Sequence, residues 1–179
     1  MPPKPPSDDP PVHREPAPDR VSVPVASWPV WAALAVLALI RVVAARGELW
    51  FDEILSLKLA SKAAGFADLL QLNVDNSHPL NSAWLLLVGP SAGDVVCRAF
   101  SLGTGIGSMI ILLLLLHEMG AGGNERPWQA VAGVLVFGCS YLQILYASEA
   151  RGYAPCVFFS LGALLLLIRG GRRSTAAAP

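Results

Sequence analysis

The sequence predicts an all-α polytopic membrane protein with about four transmembrane helices. Of its 179 residues, 54% are hydrophobic and 15% are charged, whereas about a quarter of the residues of a soluble domain are charged. The charges lie between long apolar segments, which is typical of membrane spans joined by polar loops. The formal net charge is zero, so the composition does not favour nucleic acid as a partner.

The two ends of the chain differ from its apolar middle. Residues 1–29 are rich in proline and cannot bury enough apolar surface to fold, so we predict a disordered cytoplasmic tail. The first apolar run begins only at Val30, which favours an uncleaved anchor over a signal peptide. Residues 30–170 are predicted to form the transmembrane domain, and 171–179 a second cytoplasmic tail.

Four apolar segments predict the membrane-spanning helices, at about 30–47, 95–116, 128–146 and 153–168. Arg41 interrupts the first of them, and its side chain either extends toward the interface or faces a polar cavity. Three glycines in the second span, Gly103, Gly105 and Gly107, favour close helix packing over a phosphate-binding loop, because no strand precedes them.

A long loop, residues 48–94, separates the first two spans. Apolar and polar residues alternate with helical periodicity over 52–72, which predicts amphipathic helices lying at a membrane surface. Residues 80–88 are apolar, but a run of about ten residues is too short to cross a bilayer. We therefore expect an interfacial or re-entrant helix there.

The arginines predict the topology. Arg169, Arg172 and Arg173 follow the last span and mark the cytoplasmic side by the positive-inside rule. Four spans then place both ends of the chain in the cytoplasm and the loop 48–94 outside it. The polar turn 148–153 falls on the same extracytoplasmic face. The predicted location is the cell membrane, crossed several times.

Asp52 and Glu53 are adjacent acids just beyond the first span. Acids at a membrane boundary cost desolvation energy unless they have a partner or a function. A carboxylate there could act as a general base on a hydroxyl acceptor. The alternative is a helix start, where acids interact favourably with the helix dipole. Local sequence alone favours the helix start.

Other polar residues near the spans allow a structural and a functional interpretation. His78 is either structural or a phosphate ligand, and with no second His or Cys at metal spacing it does not predict a zinc site. Glu149 and Arg151 belong either to an ordinary polar turn or to a functional site. In a functional site, Glu149 would serve in catalysis or metal binding, and the guanidinium of Arg151 would bind a phosphate. Arg98 is an interface anchor or a further site residue.

Four short segments that contain the polar residues discussed above occur in the same order as four motifs of a known family. They are residues 50–56, 78–80, 89–101 and 146–153. Trp-Phe-Asp-Glu at 50–53 resembles the first-loop acidic motif of membrane glycosyltransferases of the GT-C fold. His-Pro-Leu at 78–80 is similar to their His-Pro-Pro-Leu turn, and 89–101 to their Gly…Arg-x-x-Ser segment. Residues 146–153 resemble their Tyr-Ser-Gln-Glu-Ala-Arg-x-Tyr turn. The family includes the dolichyl-phosphate-mannose protein mannosyltransferases and the bacterial aminoarabinose transferases.

The resemblance implies an inverting transfer of a sugar from a polyprenyl-phosphate donor. Asp52 would be the catalytic base, assisted by Glu53. Arg151 and His78 would bind the donor phosphate, whose charge must be stabilised as it leaves. In some relatives a divalent metal ion sits with acids of the first and second loops, which here implies Asp52 and Glu149.

The resemblance covers residues 30–170 and the N-terminal portion of the family. Asn81 and Ser82 stand where the family continues its His-Pro-Pro-Leu turn. The implied enzyme is truncated or split, with a second polypeptide supplying the further spans. A non-catalytic remnant or a small membrane interaction protein on the same scaffold is the alternative. A transporter subunit ranks below both, because the spans contain few polar residues.

Overall fold

The computed structural model describes residues 28–70, 78–119 and 127–176, and within these ranges the chain is all-helical. The helices are α1 (Trp28–Ala44), α2 (Phe51–Lys62), α3 (Phe66–Leu69), α4 (Pro79–Val88), α5 (Asp94–Glu118), α6 (Pro127–Gly138), α7 (Tyr141–Ser148) and α8 (Tyr153–Ala176). The predicted fold class is confirmed at this level.

Two helices, α5 and α8, are long and apolar enough to cross a membrane. The pair α6 and α7 becomes a third candidate if the two are counted as one span bent by 61°. Helix α1 has 17 residues and α4 has 10, so both are shorter apolar helices. The described residues thus contain two or three candidate spans, and the count of four stays a prediction.

Helix α5 lies at the centre of the fold and packs against α1, α4, α6, α7 and α8. Two of its glycines allow these close contacts. A β-carbon at Gly105 would overlap Ala147 of α7, and one at Gly107 would lie 2.6 Å from the ring of Phe158 in α8. The predicted packing role is confirmed for these two glycines, whereas Gly103 faces open space.

The third predicted span, 128–146, is broken at residues 139 and 140, which the sequence did not predict. Arg41 of α1 is fully buried and donates hydrogen bonds to the carbonyl oxygens of Leu37 and Gly138, both at 3.0 Å. Gly138 is the last residue of α6, so the guanidinium satisfies a carbonyl that the ending helix leaves open. Arg41 therefore faces the protein interior at the break, rather than the membrane interface.

Two clusters of buried residues form the core. The larger one joins α1, α5 and α6 through Val30, Leu34, Leu37, Met109, Leu113, Ala130 and Val134. The smaller one joins α2, α4, α5 and the turn after α7 through Ala60, Leu85, Cys97 and Ala150. This second cluster ties the loop helices to the beginning of α5 and so positions the polar residues described below.

The ends of the helices differ slightly from the predicted boundaries. Helix α1 begins at Trp28, inside the predicted N-terminal tail, because a proline in the first turn of a helix costs no hydrogen bond. Helix α8 continues to Ala176, beyond the predicted boundary at residue 171. The predicted disorder of residues 1–27 lies outside the described residues.

Candidate functional site

The turn between α7 and α8 lies against the beginning of α2. Arg151 Nη1 is 3.4 Å from Asp52 Oδ2 and 3.7 Å from Glu149 Oε2. The Asp52 side chain is 51% exposed, against 21% for Arg151 and 13% for Glu149. Three of the residues singled out in the sequence therefore lie together, although Asp52 is far from the other two along the chain.

Tyr153 brings a fourth predicted residue, His78, into this group. Its ring centroid is 5.0 Å from that of His78 in an edge-on arrangement, and the Arg151 guanidinium lies 4.9 Å from the same ring. Tyr146 stacks on Tyr153 with centroids 4.7 Å apart. We call these six residues the polar cluster: Asp52, His78, Tyr146, Glu149, Arg151 and Tyr153.

Gly152 makes the contact with His78 possible. A β-carbon at this position would lie 2.5 Å from the β-carbon of His78 and 2.7 Å from its Nδ1. Distances this short leave no room for any larger residue unless the histidine moves. The glycine after Arg151 is therefore required by packing in the polar cluster.

The environment shifts the pKa values of two members of the cluster. Burial raises the pKa of Glu149, and the nearby Arg151 charge opposes this only in part. Burial lowers the pKa of His78, and the positive charge of Arg151 lowers it further. Both effects favour the neutral form of the His78 imidazole. Its Nε2 is buried and has no hydrogen-bond partner in the part of the chain that the structure describes.

Glu53 occupies an opposite environment to its neighbour Asp52. Its carboxylate is buried and accepts hydrogen bonds from Arg98 Nε at 2.8 Å and Arg98 Nη2 at 2.6 Å. It also accepts the backbone N–H groups of Trp50, at 2.7 Å, and Ala150. Burial alone would raise the pKa of Glu53, but these hydrogen bonds hold it below the ordinary value. A carboxylate held this way is a poor proton acceptor.

Arg98 completes this buried ion pair. Besides its two bonds to Glu53, its guanidinium donates to three backbone carbonyls between α1 and α2, those of Ala45, Gly47 and Glu48. All five N–H donors of the side chain are thus used. The sequence left Arg98 as an interface anchor or a site residue, and its position in an apolar helix start was the signal that it needed an acid partner.

Two further residues bind the backbone of the turn, and sequence reasoning did not assign either of them to the site. Asn81 Nδ2 donates to the carbonyl of Ala150 at 2.6 Å. Ser101 Oγ donates to the carbonyl of Arg151 at 2.8 Å. In the sequence Asn81 is only a departure from the family motif, whereas in the structure it contacts the turn directly.

The predicted metal ligands, Asp52 and Glu149, both face Arg151 Nη1. The positive charge between the two carboxylates is therefore a guanidinium, and this arrangement does not fit a divalent ion. The described residues also contain no group of three or more His, Cys, Asp or Glu side chains that could hold one. The metal stays a prediction of the resemblance alone.

The chain matches no protein-family model, no curated protein and no solved structure. Function must therefore be inferred from the chemistry of the polar cluster. An accessible carboxylate, a guanidinium and a neutral imidazole are suited to a ligand that carries both a phosphate and a hydroxyl group. The two stacked tyrosines add aromatic surface beside them.

Proposed function

We propose that this chain is part of a membrane glycosyltransferase that transfers a sugar from a polyprenyl-phosphate donor to an acceptor on the extracytoplasmic face of the cell membrane. One observation carries the proposal. Asp52 and Glu149 meet at Arg151, so the acidic first-loop motif and the Glu-Ala-Arg turn, which resemble motifs of the GT-C enzymes, form a single polar cluster.

The position of the cluster relative to the apolar helices supports a membrane location. It lies where α7 ends and α8 begins, beside the buried pair of Glu53 with Arg98 near the start of α5. At the other end of α5, Glu118 pairs with Arg169 of α8 at 2.8 Å. Arg98 and Glu118 are 20 positions apart, or about 30 Å of helix, which matches the hydrocarbon thickness of a bilayer.

The proposed topology has four spans, with α1 as the first and the bent pair α6 and α7 as the third. Helices α2, α3 and α4 then lie at the extracytoplasmic surface. Large exposed apolar side chains in and beside α2 and α3 support this: Trp50 is 67% exposed, Phe51 77%, Phe66 60% and Leu70 75%. Aromatic residues favour the membrane interface, which explains why these side chains are not buried in protein.

In the proposed reaction, Asp52 takes the proton of the acceptor hydroxyl. The oxygen of that hydroxyl attacks the anomeric carbon of the sugar. The bond from that carbon to the phosphate oxygen breaks, and the electron pair leaves with the polyprenyl phosphate. Arg151 exchanges its carboxylate partners for the phosphate and stabilises the developing charge. His78 donates an N–H to the phosphate. Glu53 assists by holding the turn and not by moving a proton.

The lipid bilayer and the polyprenyl-phosphate-linked sugar are the proposed partners. The sugar and the acceptor are left open, because the described side chains do not distinguish among hexoses and pentoses.

The test is transfer of radiolabelled sugar from a panel of polyprenyl-phosphate-linked hexoses and pentoses, in membranes of cells that express the full chain. Asp52→Asn should lower the rate by about 10²- to 10⁴-fold, because it removes the general base. Glu48→Gln is the matched control, since Glu48 is an exposed acid four positions away whose side chain is outside the cluster. Equal rates for wild type and Asp52→Asn would reject the enzyme and favour a non-catalytic scaffold.

A further inference from the structure

The turn that carries Glu149 and Arg151 is bound by three buried side chains from three different helices. Glu53 of α2 accepts the N–H of Ala150. Asn81 of α4 donates to the carbonyl of Ala150, and Ser101 of α5 donates to the carbonyl of Arg151. These three side chains are 1%, 1% and 0% exposed, respectively. We call this set of contacts the turn clamp.

The turn clamp gives the turn a definite orientation. Ala150 is 1% exposed, so its backbone groups need protein partners, and the clamp supplies them. The side chains of Glu149 and Arg151 are only partly buried and face the polar cluster. The backbone is thus held on one side while the charged groups are presented on the other. An ordinary surface turn would be satisfied by water and would not require three buried polar residues.

Helix α5 acts on the turn directly through Ser101 and indirectly through Arg98, which binds Glu53. Residues three positions apart lie on the same face of a helix. Arg98 binds Glu53, which accepts from Ala150, and Ser101 binds the next residue directly. The two contacts hold consecutive residues of the turn and restrict rotation of the peptide between them.

We propose that Asn81 and Ser101 are positioning residues that fix the guanidinium of Arg151 for binding the donor phosphate. The inference rests on the proposed function, since it assigns a phosphate to Arg151. Neither side chain contacts the phosphate itself. Both side chains hold the Arg151 backbone in the orientation that it has when phosphate is bound. Binding then does not carry the entropy cost of ordering that backbone.

The first experiment measures binding of farnesyl phosphate, a short polyprenyl phosphate, to the full chain in lipid nanodiscs. Ser101→Ala and Asn81→Leu should each weaken binding by about tenfold, or about 1.4 kcal/mol. Ser108→Ala is the matched control. Ser108 is a buried hydroxyl on the same helix, and it donates to the carbonyl oxygen of Thr104 within that helix. Ser108→Ala should bind like the wild type.

A double-mutant cycle separates positioning from general loosening of the fold. In an Arg151→Gln background, Ser101→Ala should have no further effect on binding, because it acts through Arg151. A further loss of similar size in that background would overturn the proposal. So would unchanged binding in Ser101→Ala when Arg151→Gln weakens it, and the phosphate site would then stand without the clamp.

Hydrogen exchange of the full chain gives a readout that needs no ligand. The peptide covering 149–152 should exchange faster in Ser101→Ala and Asn81→Leu, and not in Ser108→Ala. If Arg151→Gln leaves farnesyl phosphate binding unchanged, the proposed function fails. The assignment of Arg151 to the phosphate fails with it, and exchange then decides only whether Asn81 and Ser101 order the turn: faster exchange supports this, and unchanged exchange overturns it.

Discussion

Asp52 and Glu53 are adjacent in sequence and lie in opposite environments. Glu53 is 1% exposed and accepts hydrogen bonds from Arg98, Trp50 and Ala150. Asp52 is half exposed, and its carboxylate is 3.4 Å from Arg151. Consecutive residues of a helix point about 100° apart, so the first turn of α2 directs one acid into the core and the other into the polar cluster. One acid holds the structure, and its neighbour is accessible to a ligand.

Their arginine partners differ in the same way. Arg98 uses all five donors on a carboxylate and three backbone carbonyls, so it can accept no ligand without breaking the fold. The contacts of Arg151 with the two acids measure 3.4 and 3.7 Å, and its contact with the Tyr153 ring measures 4.9 Å. Contacts of this length can be exchanged for those of a bound anion at a smaller cost.

The largest expected effect tests the buried pair. Glu53→Gln should lower the free energy of unfolding by about 3–5 kcal/mol, because it leaves the Arg98 charge buried without its partner. Asp52→Asn, the matched control next to it, should cost less than about 1 kcal/mol. Thermal unfolding of the full chain in detergent measures both.

A second variant keeps this test informative if Glu53→Gln fails to fold. Glu53→Gln combined with Arg98→Met removes both charges and should recover part of the lost stability. Similar losses for Glu53→Gln and Asp52→Asn would contradict the contrast between the two acids.

The next effect concerns the packing of the polar cluster. Gly152→Ala should cost about 1–3 kcal/mol in stability, because the added methyl group would overlap His78. Gly103→Ala is the control, since its β-carbon would meet open space, and alanine is favoured over glycine within a helix. Detergent melting curves that show the same shift for both variants would contradict the described contact between Gly152 and His78.

The smallest effect is a pH dependence. The pKa of Glu53 is lowered in the folded chain, so its stabilisation is complete above the unfolded value of about 4.3. This contribution to the free energy of unfolding is lost as the pH falls through the lower pKa of Glu53 in the folded chain. The loss is no more than about 1.4 kcal/mol per pH unit. Unfolding measured between pH 6 and pH 3 should show this loss in wild type and in Asp52→Asn. If Asp52→Asn removes most of it, the wrong acid has been assigned to the pair.

The sequence predicted the helical class, the apolar helices α5 and α8, and a short apolar helix at 80–88, which the structure places at Pro79–Val88. The shared membrane face of the first loop and the 148–153 turn stays a prediction, while the structure itself shows the contact of Asp52 with Arg151. The sequence did not predict which of two adjacent acids is buried. That depends on the rotation of α2 about its axis, which a helix of mixed polarity does not determine locally.

The break between α6 and α7 was missed for a different reason. No proline lies at residues 138–141, so the local sequence favours one continuous span. A tertiary contact accompanies the break: Arg41, more than ninety positions earlier, binds the carbonyl at the end of α6. The sequence also did not reveal the contacts of Asn81 and Ser101, because their partners are backbone groups of a distant turn. Backbone groups are present at every residue, so the sequence does not indicate which of them a side chain binds.

Helix α5 carries the polar contacts and the close glycine contact at positions 98, 101 and 105, which share one face of the helix. The number of residues between these positions therefore matters as much as the residue types at them. A single inserted residue between Ser101 and Gly105 would rotate the helix below it by about 100°. Either Gly105 would no longer lie against Ala147, or Ser101 would no longer bind the carbonyl of Arg151 in the turn. Substitutions along this stretch should be tolerated far more often than changes in its length.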